Sequence, residues 1–270
     1  MLSVQFLHCQ LFHFVERVLL SIFCLALSFN TPATDVEAPI NHDHLAHQDV
    51  KAISQIYHAS MAYIFSQQPL INAKSDKKDA LFGRQFIEQV KLTYRDKYNA
   101  PFPNEQNEYI KRLVNLMMLV MEDNRTLLLD KEIGFKGFIP AIFAFQLSER
   151  FKKRGYGMYI KFTNVPSRIR NMLSSPDQWE QDALEKLAAN ETRFVFDTHA
   201  EFNGKQAVRY MEPVKLTPMC LSCHGVASDN PLNKGRNVSQ WQHKDKTGFL
   251  MEGWKLGELG GGISVAVYDQ

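Results

Sequence analysis

Five consecutive residues, Cys220-Leu221-Ser222-Cys223-His224, constrain this chain more than any other stretch. Two thiols and an imidazole this close must share one short turn, and Gly225 follows at once. C-x-x-C-H is the attachment signature of c-type haem. The two thiols add across the two vinyl groups of the haem as thioethers, and the adjacent imidazole supplies an axial nitrogen to the iron. A bare C-x-x-C also serves as a redox dithiol, half of a zinc site or a local disulfide. A zinc site needs further ligands at suitable spacing. His243 is available, but there is no second C-x-x-C and no H-x-x-x-H. The motif therefore predicts one covalent haem c, with Cys220 and Cys223 as anchors and His224 as the proximal ligand.

The compartment agrees with that chemistry. Val18 to Phe29 is an apolar run of the length found in export signals, Arg17 precedes it, and Thr31-Pro32-Ala33 offers small residues for cleavage. The run is short for a membrane span. Residues 1–33 are thus expected to be a cleaved signal peptide and the protein periplasmic. An uncleaved segment is the alternative and the one route to membrane association. Cleavage would remove Cys9 and Cys24 and leave only the two motif cysteines. Attachment of c-type haem takes place on the exported side of the membrane.

Composition limits the partners. Lys and Arg number 31 against 29 Asp and Glu, for a net charge of +2, and no basic stripe interleaved with aromatics appears. Nucleic acid is not an expected partner. With 45% hydrophobic residues in 270, the chain can bury a sizeable core.

Residues 34–49 read as a polar linker carrying His42, His44 and His47. Beyond them Ile53, Ile56, Tyr57, Ser60, Met61 and Ile64 recur at helical spacing. Further helices are expected over 79–94 and 105–121, completing an N-terminal helical region over 50–125. A short helix over 144–153 and a strand over 159–163 come next. Ser175-Pro176-Asp177-Gln178 reads as a capping box that starts a helix at Ser175. Residues 193–202 and 205–212 flank Asn203-Gly204, the signature of a two-residue type I′ hairpin, which would set His199 opposite Val208. Gly260-Gly261-Gly262 leads into a last strand over 263–268. Few strands with short returns favour an antiparallel α+β arrangement.

Several of these stretches resemble the c-type haem-binding PAS-like domains, which occur as periplasmic sensory modules of histidine kinases and chemoreceptors and as stand-alone proteins. The match is carried by Lys136-Gly137-Phe138-Ile139-Pro140-Ala141 with Phe143, and by Lys161-Phe162-Thr163 followed by Arg170-Asn171, Pro176-Asp177 and Trp179-Glu180. It continues through Cys220 to Gly225, then Lys255-Leu256-Gly257-Glu258 and Gly262-Ile263-Ser264-Val265. Gln68 with Leu70-Ile71-Asn72 is similar to the N-terminal part of the sensor versions. Met172-Leu173-Ser174-Ser175 departs from the family pattern. The resemblance implies a PAS-like antiparallel sheet over 126–270 with helices around it and the haem held at its side. It also implies a distal ligand from the N-terminal helical part.

His58 and Met61, one helical turn apart, are candidates for that ligand, and His199 on the hairpin is a third. Each also has a plain structural reading: helix surface, core and solvent-facing strand. The Met117, Met118 and Met121 cluster reads as core. Two functions compete. One is redox or diatomic-gas sensing, passed to a separate signalling partner because no output region follows the last strand. The other is a monohaem electron-transfer cytochrome with a separate redox partner. An enzyme such as a peroxidase ranks below both, since no distal acid–base pair can be singled out.

Overall fold

The computed structural model describes residues 47–268. The export-signal reading and most of the linker lie outside the described residues. Within them, no helix is long and apolar enough to cross a membrane.

The chain opens with α1 (His47–Ser66), whose buried stripe contains Val50, Ile53, Ile56, Tyr57, Ser60, Met61 and Ile64. It begins earlier than the apolar period predicts, because His47 stacks on Phe194 at 4.6 Å and also meets Phe196 and Tyr210. The single turn α2 (Gln68–Ile71) follows, with Pro69 in its first turn. Gln68 donates from Nε2 to the Phe138 carbonyl at 3.0 Å, tying this turn to a distant loop.

The helix expected over 79–94 divides in two. Asp79–Leu81 forms a 3-10 turn, Phe82 is extended, and α3 (Gly83–Tyr98) runs on to Asn99 in a left-handed cap with φ 49°. α4 (Glu108–Asp123) starts where Asn107 Oδ1 accepts from the backbone of Tyr109 and Ile110. Met117 and Met121 on α4 are fully buried, as core residues should be. α5 (Arg125–Leu129) and α6 (Pro140–Arg154) complete the helical part, and Gly155 at φ 61° ends α6.

Four strands form one antiparallel sheet in the order β1-β4-β3-β2. They are β1 (Met158–Thr163), β2 (Val195–Phe202), β3 (Lys205–Lys215) and β4 (Leu259–Tyr268). Alternation along the strands divides the sheet between two layers. Ile160, Tyr210, Ile263, Val265 and Val267 share one core with α1, α3, α4 and α6. Each large apolar side chain fully buried there contributes about 1.5–3 kcal/mol. The opposite face packs Met211 under Ala183, Leu184 and Leu187 of α7 (Gln178–Ala188). Gly262 makes this approach possible, since a Cβ there would lie 2.5 Å from Met211 Sδ.

Two expectations are corrected. The capping box before α7 starts at Asp177 rather than Ser175. Asp177 accepts from the Glu180 backbone, and Glu180 accepts from the Asp177 backbone, both at 2.9 Å. A carboxylate at the N-cap gains from the helix dipole, and Arg209 pairs with Asp177 at 2.8 Å. The hairpin turn is as expected, with Asn203 and Gly204 both at positive φ. Its register is as expected from Phe202–Lys205 to Ala200–Ala207 and shifts beyond that point. Ala200 pairs with Ala207, but Asp197 pairs with Arg209, so a bulge takes up Thr198 and His199. The Asp197 carboxylate accepts from the His199 backbone at 2.8 Å and supports the bulge. His199 therefore does not pair with Val208.

Candidate functional site

β3 ends at Lys215, and two residues later Thr217 caps the short helix α8 (Pro218–His224), with Pro218 at its first position. Within α8, Cys220, Cys223 and His224 stand at i, i+3 and i+4, which brings them to one face. Both cysteines are free thiols of intermediate exposure. The Cys220 sulfur lies 3.4 Å from Thr217 Oγ1, and Ser222 Oγ donates to the Cys223 sulfur at 3.8 Å. Burial pushes the Cys223 thiol up from its ordinary pKa.

The segment before β4 returns beside α8 and is fastened at both of its ends. Leu216 donates to the Glu258 carbonyl, and Gly257 donates back to Leu216. At the other end, Trp254 donates to the His224 carbonyl at 2.8 Å and Gly253 to that of Gly225 at 3.0 Å. Gly225 has to be glycine. A Cβ at that position would run into Asp229 and the Leu221 carbonyl.

This strap gives His224 its surroundings. Glu252 Oε2 lies 3.0 Å from His224 Nδ1, and the Trp254 ring stacks on the imidazole at 4.3 Å with a 6° tilt. Arg168 covers Trp254 with its guanidinium 4.9 Å from the ring and bonds Glu258 at 2.9 Å. Burial and then the Arg170 charge hold the His224 pKa below the ordinary imidazole range, against the opposing pull of Glu252. The neutral ring donates Nδ1–H to Glu252, which leaves the Nε2 lone pair as its donor site.

Arg170 is the centre of this arrangement. Its Nε and Nη2 donate to the two oxygens of Glu252 at 2.6 and 2.8 Å. Nη1 donates to Asp245 at 2.6 Å, and Nη2 also reaches the Cys223 and Leu250 carbonyls at 3.1 and 3.2 Å. Phe249 lies under the guanidinium at 5.0 Å. Only the planar fork of arginine serves so many acceptors at once. Burial alone would raise the Asp245 pKa, but hydrogen bonds from Thr247 and Arg170 outweigh it and hold the carboxyl below its usual range.

The other candidates fall in different places. Met61 is packed in the core at 8% exposure. His199 is exposed on the bulge of β2, an edge strand, with Nδ1 2.9 Å from Thr198 Oγ1. His58 is half-buried on α1. Its Nδ1 lies 3.1 Å from Tyr98 Oη and 3.4 Å from Glu212 Oε1, on the α1 side of β3. Burial lowers the pKa of Lys97, against the opposing pull of Glu212. Among the described residues, no group of three or more His, Cys, Asp or Glu is placed to hold a metal ion.

Sequence reading missed Glu252, Trp254 and Asp245, and gave Arg170 no role although it named the residue. Glu252 and Trp254 stand far along the chain from His224, in a stretch with no periodicity, so nothing local marks them.

Comparison with known proteins agrees with one family. Residues 41–267 match the model of the Tll0287-like family, described as Tll0287. No curated protein matches the chain. Among solved structures, the crystal structure of the cyanobacterial heme-protein Tll0287 is similar at 17% identity, covering 61% of this chain and 98% of that one with a TM-score of 0.35. The family match spans the helical part, the sheet, the motif helix and the strap alike, and the chain is a member of the Tll0287-like family.

Proposed function

We propose that this chain is an exported, periplasmic monohaem protein with a PAS-like domain that acts in redox or diatomic-gas sensing. Cys220 and Cys223 carry haem c through thioether bonds and His224 is the proximal ligand. The observation that carries this reading is the common face of Cys220, Cys223 and His224 on α8, with the second imidazole nitrogen already occupied by Glu252. Membership of a family named for Tll0287, which is described as a heme-protein, supports it.

The residues fit such a group in three ways. The thiols are free and partly accessible. The imidazole is held neutral, the form that binds a metal, and its ring plane is set by Glu252 and Trp254. Apolar side chains stand exposed on α8, the turn after it and the strap, at Met219, Val226, Phe249 and Leu250, where a porphyrin would find cover. When bound, the haem supplies an iron able to exchange one electron or take up a diatomic ligand. The chain's part is to anchor the ring, present Nε2 and limit water at the proximal side.

His58 is the distal candidate we favour. It is half-buried on α1 beside Glu212. A ligand from α1 would couple events at the iron to the central helix of the fold and so to a separate partner protein. The electron-transfer reading draws on Trp254, a partly exposed ring stacked on His224, which offers a route between the ligand and the surface.

Absorption spectra of protein made with the c-haem maturation machinery, oxidised, reduced and reduced with CO, separate these readings. A reduced form that binds CO supports gas sensing. A low-spin form indifferent to CO supports redox sensing or electron transfer. Exported protein without covalent haem contradicts both.

A further inference from the structure

The proximal imidazole is hydrogen-bonded to a carboxylate rather than to a backbone carbonyl, and that carboxylate is itself gripped by an arginine. Glu252 lies between two cationic or hydrogen-donating groups. Its Oε2 faces His224 Nδ1 at 3.0 Å and Arg170 Nη2 at 2.8 Å, while Oε1 takes Arg170 Nε at 2.6 Å. One oxygen is therefore shared between the guanidinium and the imidazole. Arg170 also carries Asp245, whose side chain is wholly buried, so one positive charge stands against two carboxylates beside His224.

A full carboxylate charge at Nδ1 makes an imidazole a stronger donor through Nε2. A guanidinium on the same carboxylate draws charge away from it and weakens that effect. We propose that Glu252 and Arg170 are opposed positioning residues that set the donor strength of His224 toward the metal it ligates, Glu252 raising it and Arg170 restraining it. This rests on the haem reading above.

The proposal accounts for the choice of residue types. A backbone carbonyl would orient the ring equally well, but it carries no charge to adjust. A lysine in place of Arg170 would balance charge but could not span Glu252 and Asp245 in one plane.

The test is a double-mutant cycle on the full-length, maturated protein, read as the haem midpoint potential. Haem staining comes first, because wild-type protein without covalent haem overturns the haem reading and this inference with it. Given haem, Glu252→Gln should shift the ferric-to-ferrous preference toward ferrous by about tenfold or more, a rise of at least about 59 mV. Arg170→Gln should shift it the other way. In the Glu252→Gln background, Arg170→Gln should lose most of its effect, because its lever on His224 is gone. Arg170→Lys, which keeps the charge and loses the fork, should fall between wild type and Arg170→Gln. If Arg170→Gln fails to accumulate, the same cycle is run with Arg170→Lys. Additive shifts would mean that each charge acts on the iron directly through space, and would overturn the proposal. So would an unmoved potential in haem-loaded Glu252→Gln.

Discussion

Two charge networks in this fold have nearly the same parts and opposite uses. On the α7 face, Arg209 pairs with Asp177 at 2.8 Å and meets Glu180 at 3.4 Å, with Trp179 4.3 Å from its guanidinium. Lys161 closes that set, bonding Glu180 at 2.7 Å and the Ser175 carbonyl at 2.8 Å. Beside α8, Arg170 holds Glu252 and Asp245, Phe249 packs on it, and His224 is the further basic group. Each network is thus an arginine, an Asp, a Glu, an aromatic ring and one more base. The difference lies in the last member. Lys161 ends its network, since its ammonium donates to Glu180 and Ser175 and has no lone pair to offer a further group. An imidazole has a second nitrogen, so His224 carries the influence of its network outward. Clustered charge therefore does not mark a site by itself. What marks it is a member with a lone pair left to offer.

That contrast can be broken by mutation. The largest effect expected is at the motif. Cys220→Ser with Cys223→Ser should abolish covalent haem on a denaturing gel. The α7 network should behave in the reverse way. Glu180→Ala leaves Lys161 and Arg209 buried without their shared carboxylate, and should destabilise the fold by about 3–5 kcal/mol in denaturant unfolding. The haem content per folded molecule should stay the same. If Glu180→Ala instead left stability unchanged and reduced haem loading, the division of roles would be wrong.

Arg170→Ala should have an intermediate effect on stability, about 2 kcal/mol, because it removes charged hydrogen bonds at a partly exposed position. Proteolysis should then cut within residues 245–252, which Arg170 holds through Asp245, Leu250 and Glu252, before the sheet. Acid should act on the same place. Asp245 has its folded pKa below the ordinary 3.8, so its contribution is complete above that value and is lost as pH falls through the lower folded value. Stability followed from pH 5 downward should decline less steeply in Asp245→Asn than in the wild type. The smallest effect expected is at the hairpin. Gly204→Ala, at φ 78°, should cost about 1 kcal/mol and leave both networks intact.

Much of the scaffold was legible in the residues themselves. The apolar period of α1 and α4 and the Asn203-Gly204 turn are local signals, each written within a few residues of where it acts. The bulge at Thr198 and His199 was not legible, because it depends on how Asp197 turns back to its own strand. The start of α7 was misplaced by two residues for a similar reason. Ser175 satisfies the local capping pattern, but Asp177 also meets Arg209 across the sheet. Cys220, Cys223 and His224 were legible because the three stand within five residues, at i, i+3 and i+4 of one short helix. Glu252 was not, because a hydrogen bond to an imidazole can come from anywhere the chain returns.

The most direct test of the account is intact and peptide mass spectrometry of the full chain, exported in a host with the c-haem maturation machinery. The account predicts one haem on the peptide that contains both Cys220 and Cys223. Unmodified thiols at both positions, in folded and exported protein, would contradict it.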